Sequence, residues 1–240
     1  MRTLFTSAAL VACTIAFANP CDHVKGAGPL VKKTLNVAAF HGIEVEGSID
    51  VVLTQAPRQS VEVEAQANLI DLVSVDVSKG VWNITTKEGY STDKPFIVRI
   101  SVPMIDQVGL HGSGDVKSES TFSADNVRLS LEGSGDIALA FNAKSVVADI
   151  QGSGDIKLSG SAQTLTASIE GSGDINAKNM TAESAAVSTA GSGDITVNAT
   201  GSLTASIEGS GDVIYKGHPA NVVHNIAGSG EVRSLESMAR

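Results

Sequence analysis

From Val116 onward, apolar and polar residues alternate at period two, in short stretches divided by Gly and Ser. In "GSGDIKLSGSAQTLTASIE" (152 to 170), Ile156 and Leu158 fall on one side, Asp155 and Lys157 on the other. After a polar bend at 159 to 163, Leu165, Ala167 and Ile169 alternate with Thr166, Ser168 and Glu170. This pattern predicts strands with one buried face. No helical period is sustained anywhere in 112 to 232.

The stretch repeats. Its Gly-Ser-Gly-acid corner begins at Gly112, Gly133, Gly152, Gly171, Gly191, Gly209 and Gly228, at intervals of 21, 19, 19, 20, 18 and 19 residues. So regular a period marks a solenoid, each repeat being one coil stacked on its neighbour. Each coil holds two clear strands, with room for a short third, and equivalent strands of successive coils pair in parallel about 4.8 Å apart. Parallel crossovers favour a right-handed path. The expected fold is therefore all-β: a right-handed parallel β-solenoid of about 19-residue coils, preceded by a less regular β-rich portion. One aliphatic ladder should run through Ile137, Ile156, Ile175, Ile195 and Val213, with Val116 and Val232 at its ends. Burial of each such side chain is worth roughly 1.5–3 kcal/mol. The corner glycines supply the positive φ that lets every coil turn at the same place.

Ahead of the repeats, residues 34–106 alternate without a repeat, in "IEVEGSIDVVLTQ", "SVEVEAQ", "VSVDVSKGVWNITTK" and "FIVRISVP". Lys79-Gly80 predicts a hairpin turn. Gly47-Ser48-Ile49-Asp50 reads as a decayed copy of the corner, and Trp82 as a core residue. This portion should close one apolar end of the solenoid. The expected organisation is a leader (1–18), a tail (19–33), the β-rich portion (34–106), the repeats (107–233) and a second tail (234–240).

Composition agrees with a thin, layered core. Apolar residues make up 42% of the chain but aromatics only 4%, and there are 24 glycines. A net charge of −9 with no basic cluster excludes nucleic-acid binding. The one adjacent basic pair, Lys32-Lys33, reads as solvated surface.

Met1-Arg2, the apolar run "LFTSAALVACTIAFA" and the Ala16-Phe17-Ala18 site predict a secretory leader cleaved after Ala18. The run is too short to span a bilayer comfortably, so no transmembrane span is expected in the mature chain. Leu10-Val11-Ala12-Cys13 also fits a lipoprotein box with Cys13 acylated, though residues 14 to 18 stay apolar where a tether is usually polar. Both routes lead out of the cytoplasm: to the periplasm, the outer membrane or the medium. Cleavage after Ala18 leaves one cysteine, Cys21, and hence no disulfide framework.

Stacked corners would place Asp115, Asp136, Asp155, Asp174, Asp194, Asp212 and Glu231 in a column. Neighbouring carboxylates at that spacing repel by about 0.9 kcal/mol in water and about 3.5 at an effective dielectric near 20. Amide hydrogen bonds, outward solvation or intercalated cations could relieve this, calcium being the natural cation for such oxygen ligands. Beyond calcium, no cofactor is expected. His23, His41, His111, His218 and His224 lack metal-ligand spacing, and His218 before Pro219 reads as a turn residue. There is no nucleophile elbow, and the Gly-rich corners precede strands rather than the helix a phosphate loop requires. No catalytic residue is therefore assigned, although an acidic column meets by accident the carboxyl spacing of retaining glycosidases.

The stretch from about Leu35 to Glu231 resembles the head GIN domain family of auto-transporter adhesins. The likeness rests on "FHGIEVEGSIDVVLTQ", "VRISVPMIDQVGLHGSGDV", the repeats "LEGSGDI", "IQGSGDI", "IEGSGDI" and "AGSGDI", and the closing "YKGHPANVVHNIAGSGEV". It implies a bacterial, extracytoplasmic β-solenoid with an adhesive role. The segment "SLESMAR" after the last corner holds none of the ten-residue strands of a pore-forming barrel, so self-translocation is not expected. The first functional expectation is a secreted or envelope-associated, non-catalytic binding module that contacts a glycan or a protein. A calcium-stabilised envelope scaffold is the second, and a polysaccharide-acting enzyme on a β-solenoid the third.

Overall fold

A computed structural model of the chain describes residues 23–236. The expected leader, its cleavage point after Ala18, the alternative lipidation site Cys13, and Cys21 lie outside the described residues. The chain forms a β-solenoid of about seven turns with coils of about 19 residues.

Strands Val116–Gly133, Ile137–Gly152, Ile156–Gly171, Ile175–Gly191 and Ile195–Gly209 each pair in parallel with the next along nearly their whole length. Each coil thus carries one long strand where the pattern suggested two or three. The bend lies where expected: Gly160 takes φ +109. The chain stays hydrogen-bonded through it because the coils above and below bend at the same residues. Ser-Gly-acid at each corner lies outside the strands.

The aliphatic ladder is longer than the repeats alone suggested. Ile137, Ile156, Ile175, Ile195, Val213 and Val232 are successive rungs, but Val116 is not the end, since it pairs with Val51 and Val51 pairs with Val98. A second ladder runs Trp82, Ile43, Val108, Leu129, Ala148, Ala167, Val187 and Ala205. All of these except Val232 are buried, Trp82 completely.

The extra rungs come from a crossing of chain order. Gly42–Gly47 and Asp50–Gln55 lie between the repeats and two strands that follow later in the chain, Val81–Ile84 and Ile97–Val102. Beyond Ile97–Val102 the pairing turns antiparallel, through Ser60–Gln66 and then Leu30–Leu35. These strands carry Lys32, Glu62 and Glu64, which are ion-paired with one another on the surface. Charged edge strands of this kind blunt one end of the stack. Lys79, the non-glycine residue with positive φ, and Gly80 form the expected hairpin turn.

Candidate functional site

The corners stack in register. At each, the Ser amide donates to the carbonyl of the first Gly one coil back, and at Gly114, Gly135, Gly154, Gly173 and Gly230 the amide of the second Gly does so too; Ser153 and Gly154 donate to Gly133 O at 2.8 and 3.2 Å. Gly152 holds φ +140, and a Cβ at Gly154 would meet Gly135 O at 1.9 Å. Contact between main chains, rather than flexibility alone, excludes a side chain here. Gly47-Ser48-Ile49-Asp50 is a true member of the stack: Gly47 pairs with Gly112, and Ser113 N donates to Gly47 O.

The acidic residues form the expected column. Main-chain amides, the first of the three means, meet it along its whole length. Oδ1 of Asp50, Asp115, Asp136, Asp155, Asp174, Asp194 and Asp212 each accepts the amide of the next acidic residue, at 2.8–3.2 Å, ending at Glu231 N. Lys157 Nζ lies 3.7 Å from Oδ2 of both Asp136 and Asp155, and Arg233 pairs with Asp212. Among the described residues, no group of three or more His, Cys, Asp or Glu is arranged to hold a metal ion.

The histidines are dispersed. His41 Nδ1 lies 2.7 Å from Asp106, and His218 Nδ1 lies 3.6 Å from Glu236. His23 contacts Tyr90 O, and His224 is exposed on the strand Asn221–Gly228. His111 is the most constrained, with Nε2 3.1 Å from Glu44 and Nδ1 3.1 Å from Glu132. Partial burial pulls its pKa down, but hydrogen bonds and charge from Glu132 and Glu44 outweigh that and hold it above the ordinary histidine value.

Beside the column, a shallow groove of about 440 Å³ runs across the coils, lined by residues that include Ser118, Ala140, Lys157, Ser159, Asn176 and Lys178. Its walls come from unequal coil lengths. Lys117 pairs with Ala138 and Thr121 with Ala140, so Ser118, Glu119 and Ser120 bulge opposite Leu139 alone. Lys157 pairs with Asn176 and Ser159 with Asn179, so Ala177 and Lys178 stand opposite Leu158 alone. The bulges sit at the same corner, one on each side of two 19-residue coils, and bulges bend and twist a strand locally. The first is tied down: Ala140 N donates to Ser118 Oγ at 3.0 Å, and Gln55 N donates to Ser120 Oγ at 2.6 Å. No sequence motif marks these residues. Their one signal in the sequence is the surplus of two residues in the 21-residue interval and of one in the 20-residue interval.

Residues 39–219 match the family model described as "Putative auto-transporter adhesin, head GIN domain". The chain belongs to the head GIN domain family. Among solved structures it is similar to a "putative adhesin" from Bacteroides fragilis NCTC 9343, at 25% identity and TM-score 0.84 over 88% of this chain and 100% of that one. It is similar to another, from Parabacteroides distasonis ATCC 8503, at 29% identity and TM-score 0.68, over 89% of this chain and 100% of that one. A "putative lipid binding protein" from the same Parabacteroides strain shares the fold at 22% identity and TM-score 0.74, over 89% of this chain and 99% of that one. No curated protein matches the chain. Among the described residues, no helix is long and apolar enough to cross a membrane.

Proposed function

We propose that this head GIN domain is a non-catalytic recognition module of the bacterial cell envelope, acting outside the cytoplasm, and that it holds a polar glycan strand in the groove between its bulged coils. The single observation that carries this reading is the placement of two bulges at one corner. They wall a groove whose rim is polar and whose floor is small, Ala138 and Ala140. Lys157, Lys178 and Asn176 supply donors, while Ser118, Ser159 and Asn176 supply acceptors, the mixture that hydroxyl-rich ligands require. The net charge of −9 disfavours a polyanionic ligand. The adhesins among its structural relatives support a binding role in general terms. The column carboxylates accept main-chain amides, which supports a scaffold role for them rather than an acid–base pair.

The test is a glycan array followed by calorimetry with the captured glycan. The double variant Lys157→Ala/Asn176→Ala should lose binding at least tenfold while keeping a cooperative melting transition, lowered only by the small loss expected for the exposed ion pairs of Lys157 with Asp136 and Asp155. Turnover of a glycan would overturn the non-catalytic assignment. An array without a hit, or binding indifferent to the double variant, would overturn the groove assignment.

A further inference from the structure

The groove between the bulged coils differs in charge from the surface around it. Lys157 and Lys178 line it, and no Asp or Glu does. Glu119, though part of the first bulge, is not in its wall. The chain as a whole carries −9, and its coils from Val116 to Gly209 hold eleven acidic residues against five basic ones. With acids in such excess every cation could find a partner, and three do. Arg128 pairs with Asp149, Lys144 with Asp125, and Lys157 with Asp136 and Asp155. Among the described residues, Lys117 and Lys178 are the two cations of these coils whose ammonium groups have no ion pair. Both are exposed, and both flank the groove. Lys178 stands in the second bulge and Lys117 directly precedes the first. Lys117, Ala138, Lys157 and Asn176 are successive rungs, so Lys117 lies about 14 Å from Asn176, which Lys178 follows by two residues. The unpaired ammonium groups thus mark opposite ends of the groove, with the neutralised Lys157 between them.

We infer, resting on the groove assignment above, that the glycan held there is sparsely acidic: it carries uronic-acid carboxylates separated by neutral sugars, one set against Lys178 and the next against Lys117. Two unneutralised lysines balance two carboxylates and no more. The acidic surface beyond them would repel a strand charged at every sugar. A lysine ammonium is a compact point charge that suits a single carboxylate. Phosphate is better matched by the guanidinium fork of arginine, and no arginine lines the groove. Between the two ends, the small floor of Ala138 and Ala140 and the polar Ser159 and Asn176 suit the neutral sugars.

The experiment is an array of oligosaccharides in which glucuronic acid is separated by one, two or three neutral hexoses, each beside the same oligosaccharide with its carboxyls reduced to alcohols. The purified chain should bind at least one acidic member about tenfold more tightly than its reduced form, as two exposed ion pairs would give. That preference should hold in about 10 mM salt and vanish near 1 M, where the Debye length has fallen from about 30 Å to about 3 Å. It should also vanish in Lys117→Gln/Lys178→Gln, which keeps a hydrogen-bond donor at each position and, with both side chains exposed and unpaired, should keep the melting transition. Equal binding of acidic and reduced forms overturns this inference and leaves the groove assignment standing. A preference that survives in the Lys117→Gln/Lys178→Gln variant overturns it too, as does an array on which no acidic member binds. Failure of the groove assignment itself reads differently: Lys157→Ala/Asn176→Ala would then bind both forms as the native chain does.

Discussion

Asp174 donates its backbone amide to Oδ1 of Asp155 across 3.1 Å, and the same bond joins every acidic corner residue from Asp50 to Glu231. A column of like charges would oppose stacking, but here each carboxylate satisfies an amide that the corner takes out of the ladder. Hydrogen bonds to a charged acceptor contribute about 1.5–3 kcal/mol, enough to offset repulsion between neighbours that remain partly in water. Asp155→Ala should therefore lower stability by about 1–2 kcal/mol, while Asp155→Asn, which keeps an acceptor oxygen and removes a charge, should be neutral or stabilising. Denaturant titration of the two variants checks the order. Because the amides already occupy Oδ1, chelator should leave the melting temperature unchanged; a rise on adding calcium would favour the scaffold with intercalated cations instead.

The two corner glycines should be the least replaceable residues of each repeat. In Gly154→Ala the new methyl would lie 1.9 Å from Gly135 O, a main-chain atom that cannot retreat without breaking the stack. The expected loss is about 3 kcal/mol, at the upper end of the usual cost of overpacking. Ser153→Ala, between two such glycines but exposed, should change stability by about 0.5 kcal/mol or less. Thermal melts of the pair separate steric exclusion from simple sequence regularity.

The repeat made most of this architecture legible. A period near 19 fixes which residues stack, so Ile137, Ile156 and Ile175 could be placed on one ladder from spacing alone. Val51 and Val98 could not, because they join it through parallel pairing between strands far apart and out of chain order, which leaves no trace in local alternation. The long strands were also hidden, since the bend at Gly160 is polar and looks like a loop until its neighbours are seen to bend with it. At the candidate site the corners were readable and the groove was not. A coil longer by one or two residues reads as slack, and only the register shows that Ser118–Ser120 and Ala177–Lys178 spend their surplus at one corner.

His111 should make part of the stability depend on pH. Its folded pKa is raised by Glu132 and Glu44, so its contribution is complete below the unfolded value near 6.5 and is lost as pH rises through the folded value. The melting-temperature gap between the native chain and His111→Gln should therefore be wider at pH 5.5 than at pH 8.5. With its side chain 39% exposed, the effect is screened and should be about 1 kcal/mol or less. An equal gap at the two pH values would place the histidine's role in packing instead of charge.

Phe141 tests how the thin core is filled. Its neighbours on the ladder are Phe122 one coil back, with ring centroids 6.0 Å apart, and Gly160 one coil on. Gly160 offers no side chain, so the two rings fill a section of the interior that one coil further on takes Met180. Phe141→Ala should cost about 3–5 kcal/mol, because the rung beyond it has no atoms to move into the gap. The converse change, Gly160→Ala, cannot refill the space: its Cβ would lie 2.0 Å from Phe141 O and φ there is +109. The double variant Phe141→Ala/Gly160→Ala should consequently be less stable than either single variant, as chemical denaturation would show. Recovery of stability in the double variant would mean that the main chain at this bend can shift, contrary to a stack held rigid by its neighbours.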